Sequence, residues 1–283
     1  MTSDVSAPPV PAGPVVRPPG CDATYLDVLA HLQDAFLDGA RRADPQARVP
    51  WCGRWRVRDL VVHLARIHHW AAAEAARRRE VPLGRGPFVL DELYARCAAE
   101  LRGTLAALDP GAPSSTLLGP GPAVFWHRRQ VHETLVHLVD LQRAAGLPGP
   151  APVAGAPAPA LWADTVDELV TVMQPRQVRL GRTPPLAVQV RVDADDAGRS
   201  WTLGAAEPDG GGPDGAGSDG AGSDGAGLEG AGSEGGEPDV VVTGPAQDLA
   251  LLLWRRTTPD DARLRVRGDR AALDVLLGSR LVP

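Results

Sequence analysis

The 283-residue chain has no lysine; all 29 of its basic side chains are arginine. It also lacks any run near the ~18–20 uncharged apolar residues that a membrane span requires. The first twenty residues, MTSDVSAPPVPAGPVVRPPG, have no basic start and no apolar core, so they do not read as a signal peptide. They read as a disordered Pro-rich tail, and the cytoplasm is the expected location. Cysteine is scarce: Cys21, Cys52 and Cys97 are odd in number, widely spaced and without a CxxC unit. That excludes a disulfide framework and leaves three free thiols, with no local signature for a catalytic one. No basic patch or recognition motif supports nucleic-acid binding.

Acidity is present, but in one place. Residues 205–239 carry nine carboxylates and no base, so without them the chain's net charge of −6 becomes +3. Acids recur every five residues from Asp209 to Glu234 among Gly, Ala and Ser. That period lacks the apolar position needed to pack a calcium-binding β-roll. The segment reads as a solvated, disordered insertion in a hairpin.

Four segments carry helical periodicity: about 22–42, 57–79, 90–108 and 123–145. In the second, Leu60, Leu64, Ile67 and Ala71 share a face. Gly146 and Pro148 stop the fourth. Helices of this length with these connections predict a four-helix bundle over 21–146. The Pro-rich stretch 147–159 is a linker. Beyond it, helices at 160–173, 245–256 and 269–277 mix with strands at 186–192, 200–203, 240–243 and 264–267. A smaller α/β (α+β) domain is therefore expected over 160–283.

All seven histidines precede position 140, and six lie in the second and fourth helices. His63 falls on the bundle-facing side of its helix, between Leu60 and Ile67. Glu133 and His137, at i and i+4, share a face of the fourth helix, and Asp140 continues that stripe. A buried Glu is costly unless it is paired or binds a metal. Two imidazoles and a carboxylate on facing helices can ligate a cation and leave coordination positions open. Zinc suits this donor set, as do iron, nickel and manganese. On spacing alone, a buried polar cluster neutralised by Arg128 or Arg129 fits equally well. His132 points away from Glu133 and is read as a surface or supporting residue. Trp51, Trp55, Trp70 and Trp126 read as core packing that at most lines a site.

Three stretches resemble the mycothiol-dependent maleylpyruvate isomerase family, whose N-terminal domain is a DinB-like metal-binding bundle. They are WRVRDLVVHLARIHHWA (55–71), VFWHRRQVHETLVHLVDLQRAAG (124–146) and the run VVVTGPAQDLALLLWRR with LRVRGDRAAL near the C-terminus. The resemblance implies metal ligation by His63, Glu133 and His137. It also implies mycothiol as a low-molecular-weight thiol cofactor and a catalytic arginine from the second domain. Arg256 is the nearest match, although Trp254-Arg255-Arg256 replaces the family's Trp-Gly-Arg and leaves open which arginine faces the site. The implied activity is cis–trans isomerisation, or thiol S-transfer, on a small electrophilic substrate by a monomer or weak homodimer. The competing expectation is a non-catalytic metal- and thiol-binding module with a stress-response or regulatory role.

Overall fold

The computed structural model describes residues 15–204 and 237–282. The expected disorder of tail residues 1–14 and of insert residues 205–236 lies outside the described residues.

Helix α1 (Tyr25–Arg42) starts at a capping box in which Thr24 Oγ1 accepts from Asp27 N and the Asp27 carboxylate accepts from Thr24 N. Helices α2 (Val57–Ala75), α3 (Leu90–Ala107) and α4 (Val124–Ala145) complete the bundle. Each of α1 and α2 packs against both α3 and α4. Leu29, Leu32, Phe36, Leu60, Leu64, Leu101, Leu105, Leu135 and Leu138 fill its centre. Helix α1 approaches α4 closely at Gly39, where an added Cβ would lie 3.1 Å from Leu141. Gly146 ends α4 in the left-handed conformation, φ 63°, which costs glycine little. The loop before α4 contains a short hairpin, β1 (Pro113–Thr116) with β2 (Gly119–Pro122), which the sequence did not reveal.

Helix α5 (Ala158–Glu168) begins at the predicted position but runs on further than expected. It continues through a π-helical segment, Leu169–Met173, into α6 (Gln174–Arg179). The first long strand is β3 (Val190–Ala194); the expected residues 186–189 lie before it. It pairs antiparallel with β4 (Arg199–Leu203) and parallel with β5 (Val240–Gly244), and β6 (Arg265–Gly268) closes the order β4-β3-β5-β6. Helices α7 (Ala246–Leu253) and α8 (Arg270–Gly278) contact β3 and β5, and α7 also packs on α5.

The insertion is therefore not in a hairpin. Val190 of β3 faces Leu203 on one side and Val240 on the other, so the strands before and after the insertion, β4 and β5, do not pair with each other. Among the described residues, no helix is long and apolar enough to cross a membrane.

A buried polar network ties the bundle to α5. Asp164 accepts from Tyr25 Oη at 2.7 Å, lies 2.8 Å from His132 Nε2 and pairs with Arg128 at 2.9 Å. His132 Nδ1 meets Thr165 Oγ1 at 2.9 Å. His132 is fully buried rather than a surface residue. Burial opposes ionisation of Asp164, but His132, Arg128 and Tyr25 outweigh it and hold the carboxyl far below its usual value.

Asp164→Ala would leave Tyr25 Oη and His132 Nε2 without their buried partner and take from Arg128 one of its two carboxylates. We expect it to lower unfolding free energy by about 3–5 kcal/mol, read from urea midpoints. In the native protein this contribution is present above the unfolded carboxyl's pKa of ~3.9 and fades as acid titrates the depressed native group. A second pH dependence comes from His69, whose Nδ1 faces Glu100 at 2.6 Å and whose Nε2 faces the Val81 carbonyl at 2.7 Å. Both partners only accept, so the ring must donate twice, as the imidazolium. Burial lowers its pKa, yet the bonds to Glu100 and Val81 outweigh this and raise it. Its contribution is complete below the unfolded value of ~6.5 and is lost as pH rises through the raised native value. His69→Ala should flatten stability against pH over that interval.

Candidate metal centre and its cavity

The site forms where α2 and α4 run side by side. His63 Nε2 lies 3.3 Å and His137 Nε2 3.2 Å from the same oxygen, Glu133 Oε1. The three donor atoms fall within 4.8 Å of one another. Glu133 and His137 are buried, and His63 is half-buried at the mouth.

The other oxygen, Glu133 Oε2, takes a very short contact from Arg129, one turn earlier on α4. Arg129 also donates to Glu168 of α5 at 2.6 Å and stacks over Trp254, 5.6 Å from the ring centroid. The pairing with Arg129 expected of a plain polar cluster is thus present, but it uses Oε2 and leaves Oε1 to the histidines. Burial would raise the Glu133 pKa. The Arg129 charge and the bonds to His137 and His63 outweigh it and hold the carboxyl well below the carboxylate range.

Asp140 stands on the same face of α4. Its Oδ2 lies 3.0 Å from His137 Nδ1. A carboxylate at Nδ1 fixes a proton there, so Nε2, which faces Glu133, is the atom a metal would take in place of its proton. Burial opposes a second ring proton. The bonds to Asp140 and Glu133 outweigh burial and raise the pKa to about 9. Two Nε2 atoms and one carboxylate oxygen, converging at a cavity wall with the outer atoms of His137 and Glu133 anchored, fit a divalent cation.

Of the two candidate arginines, Arg256 lines this cavity. Arg255, at φ 57°, turns away to the Ser279 carbonyl. Arg256 grips Asp140 with Nε at 2.8 Å and Nη2 at 3.0 Å, and its Nη1 donates to the Trp254 carbonyl at 2.9 Å. All three guanidinium nitrogens are therefore engaged, and the second domain reaches the centre through Asp140.

The cavity encloses about 530 Å³ between the bundle and the C-terminal domain. Trp55 and Trp70 line it, whereas Trp126 is buried behind Trp70, with ring centroids 5.1 Å apart, and Trp51 is exposed. Cys52 also lines it and donates to Asp140 at 3.5 Å. Burial, reinforced by the Asp140 charge, pushes its thiol up to about 12, so it is not a nucleophile near neutrality. The sequence did not single out Cys52, Glu168, Met173, Arg176 or Arg182 as site residues. Only Glu168, an acid inside the apolar run LWADTVDELVTVM, carried a signal that could have found it.

A family model described as the mycothiol maleylpyruvate isomerase N-terminal domain matches residues 26–142, and the MDMPI C-terminal domain model matches residues 160–274. Among solved structures, the chain is similar to a mycothiol-dependent maleylpyruvate isomerase at 12% identity and a TM-score of 0.55. That match covers 86% of this chain and 91% of the other. A histidine-to-alanine variant of a mycothiol-dependent maleylpyruvate isomerase matches at 12% identity and TM-score 0.53, over 80% and 86% of the two chains. At such identities the likeness establishes the fold. No curated protein matches the chain in sequence.

If the triad holds a cation, purified protein should retain about one divalent metal per chain by elemental analysis, and His63→Ala should not. Asp140→Asn keeps every first ligand but weakens the grip on His137 Nδ1. We expect metal affinity to fall by about 10–100-fold. Unchanged affinity would confine Asp140 to bracing Arg256.

Proposed function

Because this chain belongs to the mycothiol maleylpyruvate isomerase family, we propose that it is a mycothiol-dependent isomerase. In this reading His63, Glu133 and His137 hold a divalent metal, with zinc the natural occupant of two imidazoles and a carboxylate. The observation that carries it is the convergence of both Nε2 atoms on Glu133 Oε1 at the wall of the cavity.

A thiol has a pKa near ~8.5, and a bound divalent metal supplies the positive charge that lets it ionise at neutral pH. The chain's own residues do the rest. Asp140 holds His137 in register, and Arg129 balances the second oxygen of Glu133. Trp55, Trp70, Met173 and Trp254 give the cavity walls that displace water from the reacting atoms. The thiolate sulfur adds to an activated cis double bond of the substrate. The new single bond rotates, and expulsion of the sulfur restores the double bond in trans form. Negative charge builds on the substrate carbonyl oxygen between these steps. Arg256 is the catalytic arginine in the sense that its charge, fixed at the cavity wall by Asp140, faces that oxygen.

The test is turnover of maleylpyruvate by the metal-loaded protein with and without mycothiol. The expected result is thiol-dependent formation of the trans isomer. His63→Ala and Arg256→Gln should each lower kcat/KM by at least about a hundredfold, the scale of one preorganised electrostatic contributor. Stable conjugates in place of the trans product would assign thiol S-transfer instead. Metal and thiol binding without turnover of any electrophile would make the protein a binding module.

A further inference from the structure

The positive charges around the cavity are not equally satisfied. Arg129 is neutralised by Glu133 and Glu168, and Arg256 by Asp140. Arg179 donates to the carbonyls of Leu117 and Leu118 in the β1–β2 turn. Arg176 and Arg182 also line the cavity, yet among the described residues neither makes an ion pair or a side-chain hydrogen bond. Arg176 is half-buried. Burial, together with the charges of Arg182, Arg179 and Arg129, pulls its pKa below the usual value. Arg182 is exposed; like charges held near one another at the cavity wall raise the free energy of the protein, and an anion placed between them relieves that cost.

The backbone brings Arg176 to this wall by a specific device. Glu168 faces Arg129, and in an uninterrupted α-helix the same face would next present Val172 and Pro175. The π-helical segment Leu169–Met173 adds one residue to the turn and rotates everything beyond it by about 100°. Met173 and Arg176 take those places and enter the cavity lining. Arg182 follows from the turn after α6, beyond Gly181 at φ 64°.

We propose that Arg176 and Arg182 form an anion subsite that receives a carboxylate of the electrophilic substrate, in the cavity that His63, Glu133 and His137 also line, and selects anionic over neutral electrophiles. This rests on the reading of the cavity as a substrate site. A carboxylate suits two guanidinium forks in both charge and planar geometry. Three of the five N–H donors of Arg256 are committed to Asp140 and the Trp254 carbonyl and its charge is paired with Asp140, so the stronger anchors for a substrate carboxylate are the two arginines unpaired among the described residues. Both subsite residues are arginines of the second domain, whereas all three metal ligands belong to the bundle. A bound substrate would therefore span the two domains.

The test uses metal-loaded full-length protein and two unreactive probes of the same skeleton, succinate and the neutral succinamide, titrated by ligand-observed NMR. Wild-type protein should prefer succinate, and the preference should weaken as salt rises. Arg176→Gln and Arg182→Gln should each weaken succinate by about tenfold and leave succinamide unchanged. Neither side chain has a structural partner among the described residues, so thermal midpoints should stay at the wild-type value. Equal binding of both probes, or succinate binding that survives the double substitution because the metal holds it, overturns the proposal. In turnover assays the same variants should raise KM for a carboxylate-bearing electrophile and spare that for its amide, with the KM for thiol unmoved. Absence of thiol-dependent turnover in the wild type would defeat the functional reading, while the binding experiment would still decide the subsite.

Discussion

The buried carboxylate of Glu133 is the constraint from which the rest of the site follows. A charge inside a helical bundle persists only when each of its oxygens is matched. Oε1 is matched by two imidazoles and Oε2 by Arg129. Arg129 is itself buried and in turn requires Glu168 on α5. His137 requires Asp140, and Asp140 is gripped by Arg256 beyond α7. Satisfying one carboxylate thus recruits side chains from α2, α4, α5 and the segment after α7. The polar centre and the seam between the domains are one electrostatic structure.

Such coupling has a functional sense. In the reading we propose, the centre takes an ion and a thiol, and it must then be rigid without being full. Anchors that sit behind the ligands, on Nδ1 of His137 and Oε2 of Glu133, provide rigidity while the cavity side stays open. The second network, in which Arg128 and His132 of α4 meet Asp164, joins α4 to α5 again one helical turn before Glu168.

The bundle was legible because amphipathic periodicity and end signals are local: Leu60 to Ala71 and the stop at Gly146 need no tertiary information. His63, Glu133 and His137 stood out because their spacing gives a face, and the neighbouring motifs gave that face a meaning. What the sequence hid depends on through-space partners or on backbone phase. Arg255 and Arg256 are adjacent and chemically identical; only the positive φ of Arg255 separates their directions. Nothing in LVTVM announces a π turn, so Met173 and Arg176 could not be placed at the cavity. The order of the sheet was equally hidden, since alternation in Val190–Ala194 shows which side chains are buried but not which strands are neighbours.

That sheet order bears on how this chain tolerates change. Strands β4 and β5 flank β3 and meet the same residue, Val190, so the two ends of the long connection leave from one edge only about two strand spacings apart, ~10 Å. A handful of residues would bridge that gap. Lengthening a flexible connection costs only about 0.6 kcal/mol per doubling. The strands cohere through β3 whatever joins them, and neither the candidate metal donors nor the arginines of the cavity lie between residues 204 and 239. The connection is therefore a tolerant address in the gene, where sequence can be gained, lost or exchanged while the cavity and its charges are inherited intact.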